Sequence, residues 1–360
     1  MKEKQTHLTI VIPTYKERDN IQPLVTRIHA VLQDYPYDIL VVDDNSPDGT
    51  AEEVRRLAAA YPINVVVRTD KRGLASAVVD GFALAKGRLL AVMDADLQHP
   101  PEIIKPLLDA AVNGVDLVIA SRYIKGGSVG NWSALRRFIS AGAGWLAHLL
   151  LPGTRSVKDP MSGCFLFDRR ILNGVSLSPV GYKILLEILC LSRMTTTAEV
   201  AYRFENRRAG QTKLSLLTQG DYIRHLLSLM HRSGELKRVG KFILVGASGT
   251  LVNLGVLALL TENTGLQLLL SGAVAFELSV IWNFIFNDLF TFQGRTRPGS
   301  TFFGRLIRFN TISLGGLIIY LAVLGILTDI MGLHYLVSAV IGIITAFGWN
   351  FLVNNWWTWR

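Results

Sequence analysis

Two carboxylates one residue apart, Asp94 and Asp96, directly follow the apolar run LLAVM, and this pairing is the sharpest chemical signal in the chain. At the exit of a buried strand such a pair can hold a hard divalent cation that also binds diphosphate oxygens. Mg²⁺ or Mn²⁺ there would neutralise charge building on a departing nucleoside diphosphate. A lone D-x-D is common on surfaces, and a solvated turn is the competing explanation. Other strand ends count against that explanation, because they too finish in polar residues. Pro13, Tyr15 and Glu17 follow LTIVIP, Asp43 and Asp44 close DILVVDD, and Gln98 lies just beyond the D-x-D.

The elements that must carry these residues alternate. LTIVIP is a buried-strand pattern, and IQPLVTRIHAVLQ follows it with the three-and-four apolar spacing of a helix. DILVVDD, NSPDGTAEEVRRLAAA, INVVVR, ASAVVDGFALAKG and LLAVMDAD continue the series with turn residues at the joins. Strand and helix in alternation predict an α/β domain with a mostly parallel, helix-covered sheet, whose ligands sit at the carboxyl ends of its strands.

At 360 residues the chain is too long for one hydrophobic core. Residues 1–235 mix charged and apolar patches and read as a soluble domain, whereas residues 236–360 are mostly apolar and read as membrane. The net charge is +9, with basic residues gathered between Arg122 and Arg238 and again from Arg295 to Arg308. That placement suits anionic headgroups and phosphates. No nucleic-acid motif accompanies it, which sets nucleic acid aside as a partner. Cys164 and Cys190 are too few and too scattered for a disulfide framework or a zinc site, and as reduced thiols they favour a cytoplasmic catalytic domain. LTIVIP is too brief for the core of a signal peptide.

Four apolar stretches, at about 240–260, 268–290, 306–327 and 335–357, are each long enough to cross a bilayer. The loop between the second and third carries Arg295, Arg297 and Arg305, while TENTGLQ and TDIMGLHY carry no Lys or Arg. The positive-inside tendency therefore puts that loop and both termini in the cytoplasm, in a multi-pass protein. WNFIFNDLFTF at Trp282 and WNFLVNNWWTW at Trp349 lie 67 residues apart, and so do KFILVGASG and RFNTISLGG, so two helix pairs repeat. Asn283 with Asn287, and Asn350 with Asn354, share a helical face where packing, or a path for lipid phosphate, would use them. Glu277 is an intramembrane carboxylate, a functional candidate by default or a protonated group bonded to another helix. Through its WNF-x-x-N motifs the segment from about 237 to 359 resembles the GtrA-like membrane family, which is associated with lipid-linked sugars.

The motifs IPTYKERDNI, VVDDNSPDGT, KRGLASAV, MDADLQHPPE, SRYIKGGSVGNWS, RRFIS and RRAGQTKL come in that order over about residues 6–235. Together they resemble the dolichyl-phosphate mannose synthases of glycosyltransferase family 2, an inverting family with a GT-A fold. The resemblance implies GDP-mannose as donor, a dolichyl or other polyprenyl phosphate as acceptor, and Mg²⁺ or Mn²⁺ as cofactor. Carried over by motif, Pro13, Tyr15, Glu17, Asp43, Asp44, Lys71 and Arg72 would line the nucleotide-sugar site. Asp94, Ala95, Asp96 and Gln98 would form the metal and diphosphate site, with Asp94, Asp96 and Gln98 as ligands. Arg122, Arg136 and Ser140 would meet the acceptor phosphate, and Arg207 with Lys213 would close over the substrates. The sequence departs from the family at Asn45, where Gly is frequent, and at Gln211-Thr212, where Glu-Ser is commoner.

A lipid monophosphate has a second pKa near 6, so close to neutrality it is already an oxyanion nucleophile and needs no general base. The catalytic task is to bring two polyanions together. Arg136, Arg207, Lys213 and the cation are the counter-charges, Arg being suited to planar phosphate contact. Asp159, in KDPMSG, is a candidate for stabilising positive character at the anomeric carbon, or equally for a cap or turn before Pro160. Asp96, Arg122, Arg136, Asp159 and Lys213 thus form the expected catalytic set. Two stretches, 132–151 and 214–233, are too apolar for free surface helices and would lie on the membrane. A polyprenyl-phosphate glucosyltransferase using UDP-glucose, a sugar-lipid flippase component and an inactive nucleotide-binding module are the alternatives.

Overall fold

Short apolar runs rich in Val, Ile and Leu become strands, and the longer amphipathic segments between them cover the resulting sheet. The computed structural model describes residues 7–70, 73–205, 216–264, 266–295 and 299–359. Two compact units emerge, Met1–Ser233 and Gly234–Arg360, and the left-handed Gly234 opens the second.

In the first unit the strands are β1 (Leu8–Thr14), β2 (Tyr37–Asp43), β3 (Ile63–Val67), β4 (Leu89–Val92), β5 (Leu117–Ser121), β6 (Phe165–Asp168) and β7 (Thr197–Ala201). The helices are α1 (Arg18–Leu32), α2 (Thr50–Leu57), α3 (Leu74–Leu84), α4 (Ile104–Val112), α5 (Ala134–Leu150), α6 (Ile184–Leu191) and α7 (Leu216–Arg232). The strands order as β3-β2-β1-β4-β6-β5-β7, and only β6 runs antiparallel to its neighbours. One face is buried by Ile21, Leu24 and Ile28 of α1 with Leu107 of α4. The other is buried by Ala75 and Val78 of α3 with Leu185 and Ile188 of α6. Cys164 is buried and Cys190 half-buried, and neither forms a disulfide.

The strand order reverses direction between β1 and β4, which is where open α/β sheets leave a ligand crevice. Pairing of β1 with β4 stops at Val11–Val92, whereas pairing with β2 continues to Thr14–Asp43. The Leu8 N–H bonds Pro36 on the β2 side, so by alternation position 13 faces the β4 side, where pairing has ended. A proline in a central strand therefore forfeits no ladder bond, and Pro13 marks the mouth of the crevice.

The second unit holds α8 (Glu235–Asn263), α9 (Leu268–Phe286), α10 (Phe302–Gly325) and α11 (Tyr335–Val353). Single π-turns extend the last three, at Asn287–Thr291, Ile326–Ile330 and Asn354–Thr358. Among the described residues these four helices are long and apolar enough to cross a membrane. They start or end a few residues outside the expected spans. ELKRVGK takes helical hydrogen bonds although it is too charged for hydrocarbon, and hydropathy alone does not see it. Of the helices expected over 132–151 and 214–233, the first is observed as α5 and the second, within the described residues, as α7.

The 67-residue repeat is structural. Its paired residues Phe292 and Trp359 stack on each other at 4.1 Å and 8°. A Cβ on Gly249 would lie 2.1 Å from Asn283 Oδ1, and one on the matching Gly316 would lie 2.5 Å from Asn350 Oδ1. Small residues thus let the asparagines pack against the neighbouring helix, the packing use expected of them. Glu277 takes its partner from α10, where Asn310 Nδ2 donates at 2.6 Å.

Candidate active site

Non-glycine residues with positive φ mark the turns after three strands that meet at the crevice: Lys16 after β1, Asn45 after β2 and Leu97 after β4. Backbone strain of this kind, of order 1–3 kcal/mol each, persists where the fold over-determines a functional loop. It also explains the family departure at Asn45, since asparagine tolerates the left-handed region best after glycine. Lys16 N–H to Ser46 Oγ at 2.9 Å and Glu17 N–H to Thr50 Oγ1 at 3.2 Å tie the first two turns together. Glu17 in turn accepts from Asn20 Nδ2 at 2.6 Å. Asp43 is wholly buried, accepting from Thr14 Oγ1 and from the Ser46 N–H and Oγ, so its carboxylate serves the loop scaffold. Asp44 accepts from Arg68 and, at 2.7 Å, from the Gly73 N–H, which anchors the start of α3. Tyr15 is half-buried at the end of β1.

Asp94 and Asp96 flank buried Ala95 directly after β4, both half-buried and reachable from the crevice. Asp96 Oδ1 accepts from the Gln98 N–H at 3.1 Å across the strained Leu97, so the turn holds Asp96 and Gln98 close. Among the described residues no cluster of three His, Cys, Asp or Glu side chains forms a closed metal cage. Two carboxylates and an amide instead suit a cation that completes its shell with substrate phosphate oxygens. Gly163, in the KDPMSG loop, approaches from the far side: a Cβ there would lie 2.3 Å from Asp94 Oδ2. Gly163→Ala should therefore rotate Asp94 out of place and cut transfer roughly 100-fold. Because Asp94 can swing toward solvent, the melting temperature should stay within about 3 °C; a larger melting shift with unaltered transfer would assign Gly163 to the fold alone.

Lys183 went unnoticed in the sequence. Its ammonium lines a small cleft with Asp94, Ser162, Gly163 and Tyr182, and donates to the Met161 carbonyl at 2.9 Å. Burial, and then the Arg122 charge, push its pKa down to about 8, with Asp94 and Asp159 opposing. Its only sequence signal was a lysine opening the apolar helix ILLEILCL.

Arg122 follows β5 and is buried against Asp159, which is wholly buried itself. Asp159 accepts from the Arg122 N–H at 3.0 Å, from Nε at 2.8 Å and from Nη2 at 2.7 Å. Burial alone would lower the Arg122 pKa, but these bonds and the Asp159 charge raise it above the usual arginine value. Glu199 of β7 clamps the KDP turn through the Lys158 and Asp159 N–H groups at 2.8 and 3.0 Å. Asp159 therefore faces Arg122, and its carbonyl accepts from the Ser162 N–H at 3.4 Å, opening the turn through Pro160 that is one of the expectations for it.

Arg136 sits in the first turn of α5, its N–H capped by Ser133 Oγ at 3.3 Å, with Arg137 next to it and no acid in the turn. Two arginines at a helix N-terminus oppose the helix dipole, an arrangement that an incoming anion would relieve. Ser140, one turn on, shares a 2.9 Å hydrogen bond with Tyr123 Oη. Arg136 and Arg122 both lie over the Trp132 ring, a residue the sequence reading passed over. The structure thus brings together Asp94, Asp96 and Gln98 in one turn, and Arg122, Asp159 and Arg136 in another group. Lys71, Arg72, Arg207 and Lys213 lie outside the described residues, as does Gln211-Thr212.

Residues 9–175 match glycosyl transferase family 2, and residues 241–359 match the GtrA/DPMS transmembrane domain. Over 352 residues the chain is 44% identical to a dolichol-phosphate mannosyltransferase of Pyrococcus furiosus, covering 98% of this chain and 99% of that one. It is 38% identical over 234 residues to the dolichol-phosphate mannosyltransferase of Saccharomyces cerevisiae, covering 61% of this chain and 86% of the yeast protein. A solved glucosyl-3-phosphoglycerate synthase from Mycobacterium tuberculosis, bound to Mn²⁺, UDP and its product, superposes with a TM-score of 0.49 at 21% identity. That overlap covers 64% of this chain and 80% of the other, a likeness too remote to assign a ligand. The switch-point crevice, its D-x-D turn and the family match define a glycosyltransferase with a GT-A fold and an appended membrane domain. Within that class the chain belongs to the dolichol-phosphate mannosyltransferases.

Proposed function

We propose that this chain transfers mannose from GDP-mannose to dolichyl or another polyprenyl phosphate at the cytoplasmic face of a membrane, using a divalent cation. The observation that carries the reading is that one unit holds both the D-x-D turn and an arginine-bearing, apolar-faced helix. Asp94, Asp96 and Gln98 would hold the cation, which when bound supplies positive charge to the departing diphosphate. The crevice between β1 and β4, bounded by Pro13, Tyr15, Glu17 and Asp44, would take the nucleoside. Lys183, beside Asp94, would face the sugar. Arg136 and Arg122, with Ser140, would bind the acceptor phosphate, whose oxyanion attacks the anomeric carbon. The new carbon–oxygen bond forms as the bond to GDP breaks; GDP leaves with the electron pair, and a single displacement inverts the anomeric centre.

Placement supports the lipid acceptor. On α5, Leu135, Phe138 and Trp145 are 68%, 78% and 64% exposed, an apolar face suited to the headgroup boundary. In the second unit the described basic residues Lys237, Arg238, Lys241, Arg295, Arg305 and Arg308 occur at the start of α8, after α9 and at the start of α10. Arg295 bonds Asn355 at 3.1 Å and also Glu235, joining three chain segments at one end of the bundle. The positive-inside tendency makes that end cytoplasmic.

The test is a donor comparison. Purified protein with Mn²⁺ and a polyprenyl phosphate should consume GDP-mannose much faster than UDP-glucose, read as sugar transferred into the organic phase. The opposite preference would retire mannose, and no cation-dependent transfer from either donor would retire the reading.

A further inference from the structure

Trp132 carries no role of its own in the sequence, yet both arginines of the acceptor group touch it. Its ring centre lies 4.3 Å from Arg136 Cζ and 5.3 Å from Arg122 Cζ. Phe204 meets it edge-on at 5.2 Å and stands 5.6 Å from Arg122 Cζ, and Tyr123 stands 5.5 Å from the same carbon. Arg122 is fixed to the sheet by Asp159, whereas Arg136 rides on α5, whose N-cap Ser133 follows Trp132 directly. One indole therefore bridges two cations from two separate elements.

Two guanidiniums held near each other repel; Asp159 offsets this for Arg122, and an aromatic face shared by both lowers the cost of keeping Arg136 beside it. The electron-rich face of an indole is the strongest aromatic partner for such cations. A buried tryptophan in ordinary packing also finds an acceptor for its N–H. The Trp132 Nε1 is buried with no hydrogen-bond partner among the described residues, so the ring is placed by its faces rather than by its donor.

We propose that Trp132 is a positioning residue for acceptor binding, its indole holding Arg122 and Arg136 as a preformed pair that docks the N-terminus of α5 onto the sheet. The inference rests on reading those arginines as the acceptor-phosphate site. In kinetic terms, loss of the ring raises the cost of assembling the pair, and this cost falls on the acceptor and not on the donor.

The experiment uses the full chain in detergent with a short-chain polyprenyl phosphate and varies each substrate in turn. Trp132→Leu should raise the acceptor KM roughly tenfold, the scale of one desolvated cation–π contact, with the donor KM moving less than about twofold. Trp132→Phe, which keeps a smaller aromatic face and loses the N–H, should recover much of that loss. Trp132→Met, similar in reach but without an aromatic face, should behave as Leu does and replaces it should Leu fail to fold. Arg136→Ala should raise the acceptor KM in the parent and raise it distinctly less in the Trp132→Leu background, because the two act as a unit. A Leu or Met variant with an unchanged acceptor KM, alongside a raised one in Arg136→Ala, overturns the role of Trp132 alone. An unchanged acceptor KM in Arg136→Ala itself overturns the acceptor-site reading, and the inference with it. Additive effects, or an equal lowering of kcat/KM for both substrates with Phe no better than Leu, would assign Trp132 to packing and also reject the proposal.

Discussion

Asp96→Ala is expected to reduce sugar transfer by about 1,000-fold or more while leaving the protein folded. The size follows from what the side chain is placed to do. It sits after β4, on the turn that the strained Leu97 bends so that Asp96 accepts from the Gln98 N–H. Losing the carboxylate removes half of the anionic pair at that turn, and the remaining Asp94 and Gln98 offer too little charge to keep a cation bound against water. The fold should tolerate the change because Asp96 is half-buried and outside both apolar clusters of the sheet. The measurement pairs mannosyl transfer with thermal unfolding and with a Mn²⁺ titration of donor binding. Asp96→Asn should bind donor only at raised Mn²⁺ concentration. Wild-type transfer by Asp96→Ala, or cation-independent donor binding by the parent protein, would remove the D-x-D turn from the chemistry.

The turn could be read in advance because a buried parallel strand announces both itself and its end. LTIVIP, DILVVDD and LLAVM are apolar runs that give way to polar residues, and the observed sheet ends each strand within a residue or two of that change. The 67-residue repeat was visible for a similar reason, since its asparagines and aromatics recur at fixed spacing and now pack as matched pairs. What escaped the sequence depends on distance along the chain. Arg68 reads as an ordinary charge after INVVV until it is seen on Asp44, 24 residues away. Glu199 reads as a surface residue on β7 until its carboxylate clamps the turn that holds Asp159. Trp132 reads as an aromatic residue in a glycine-rich loop, because nothing local records that Arg122, just after β5, and Arg136 of α5 converge on it. The roles of Asp43 and Asp159 were hidden in the same way: residue type and a strand-end position mark a carboxylate as useful, but only its hydrogen bonds tell whether it faces a ligand or its own loop.

Asp159→Ala is the substitution with the largest expected effect on stability. Its carboxylate is fully buried and accepts three hydrogen bonds from Arg122. Removing it leaves the guanidinium uncompensated among Tyr123, Trp132 and Phe204, and breaking such a buried pair from one side costs about 3–5 kcal/mol. Each kcal/mol lowers the melting temperature of a domain this size by roughly 2–4 °C, so the variant should melt about 6–20 °C lower or fail to accumulate. Asp159→Asn should lie between, since an amide oxygen can accept from the Arg122 N–H but carries no charge. The decisive variant is Asp159→Ala combined with Arg122→Met, which exchanges the pair for apolar groups of comparable reach. It should regain most of the lost melting temperature, because the cost lay in the orphaned cation, yet stay inactive if Arg122 binds the acceptor phosphate as proposed. If instead Asp159→Ala melts like the parent and loses only turnover, the carboxylate is not committed to Arg122, and the anomeric centre becomes its partner. The double variant separates the two roles because an orphaned charge can be relieved by deleting the charge, whereas a missing contact to the sugar cannot.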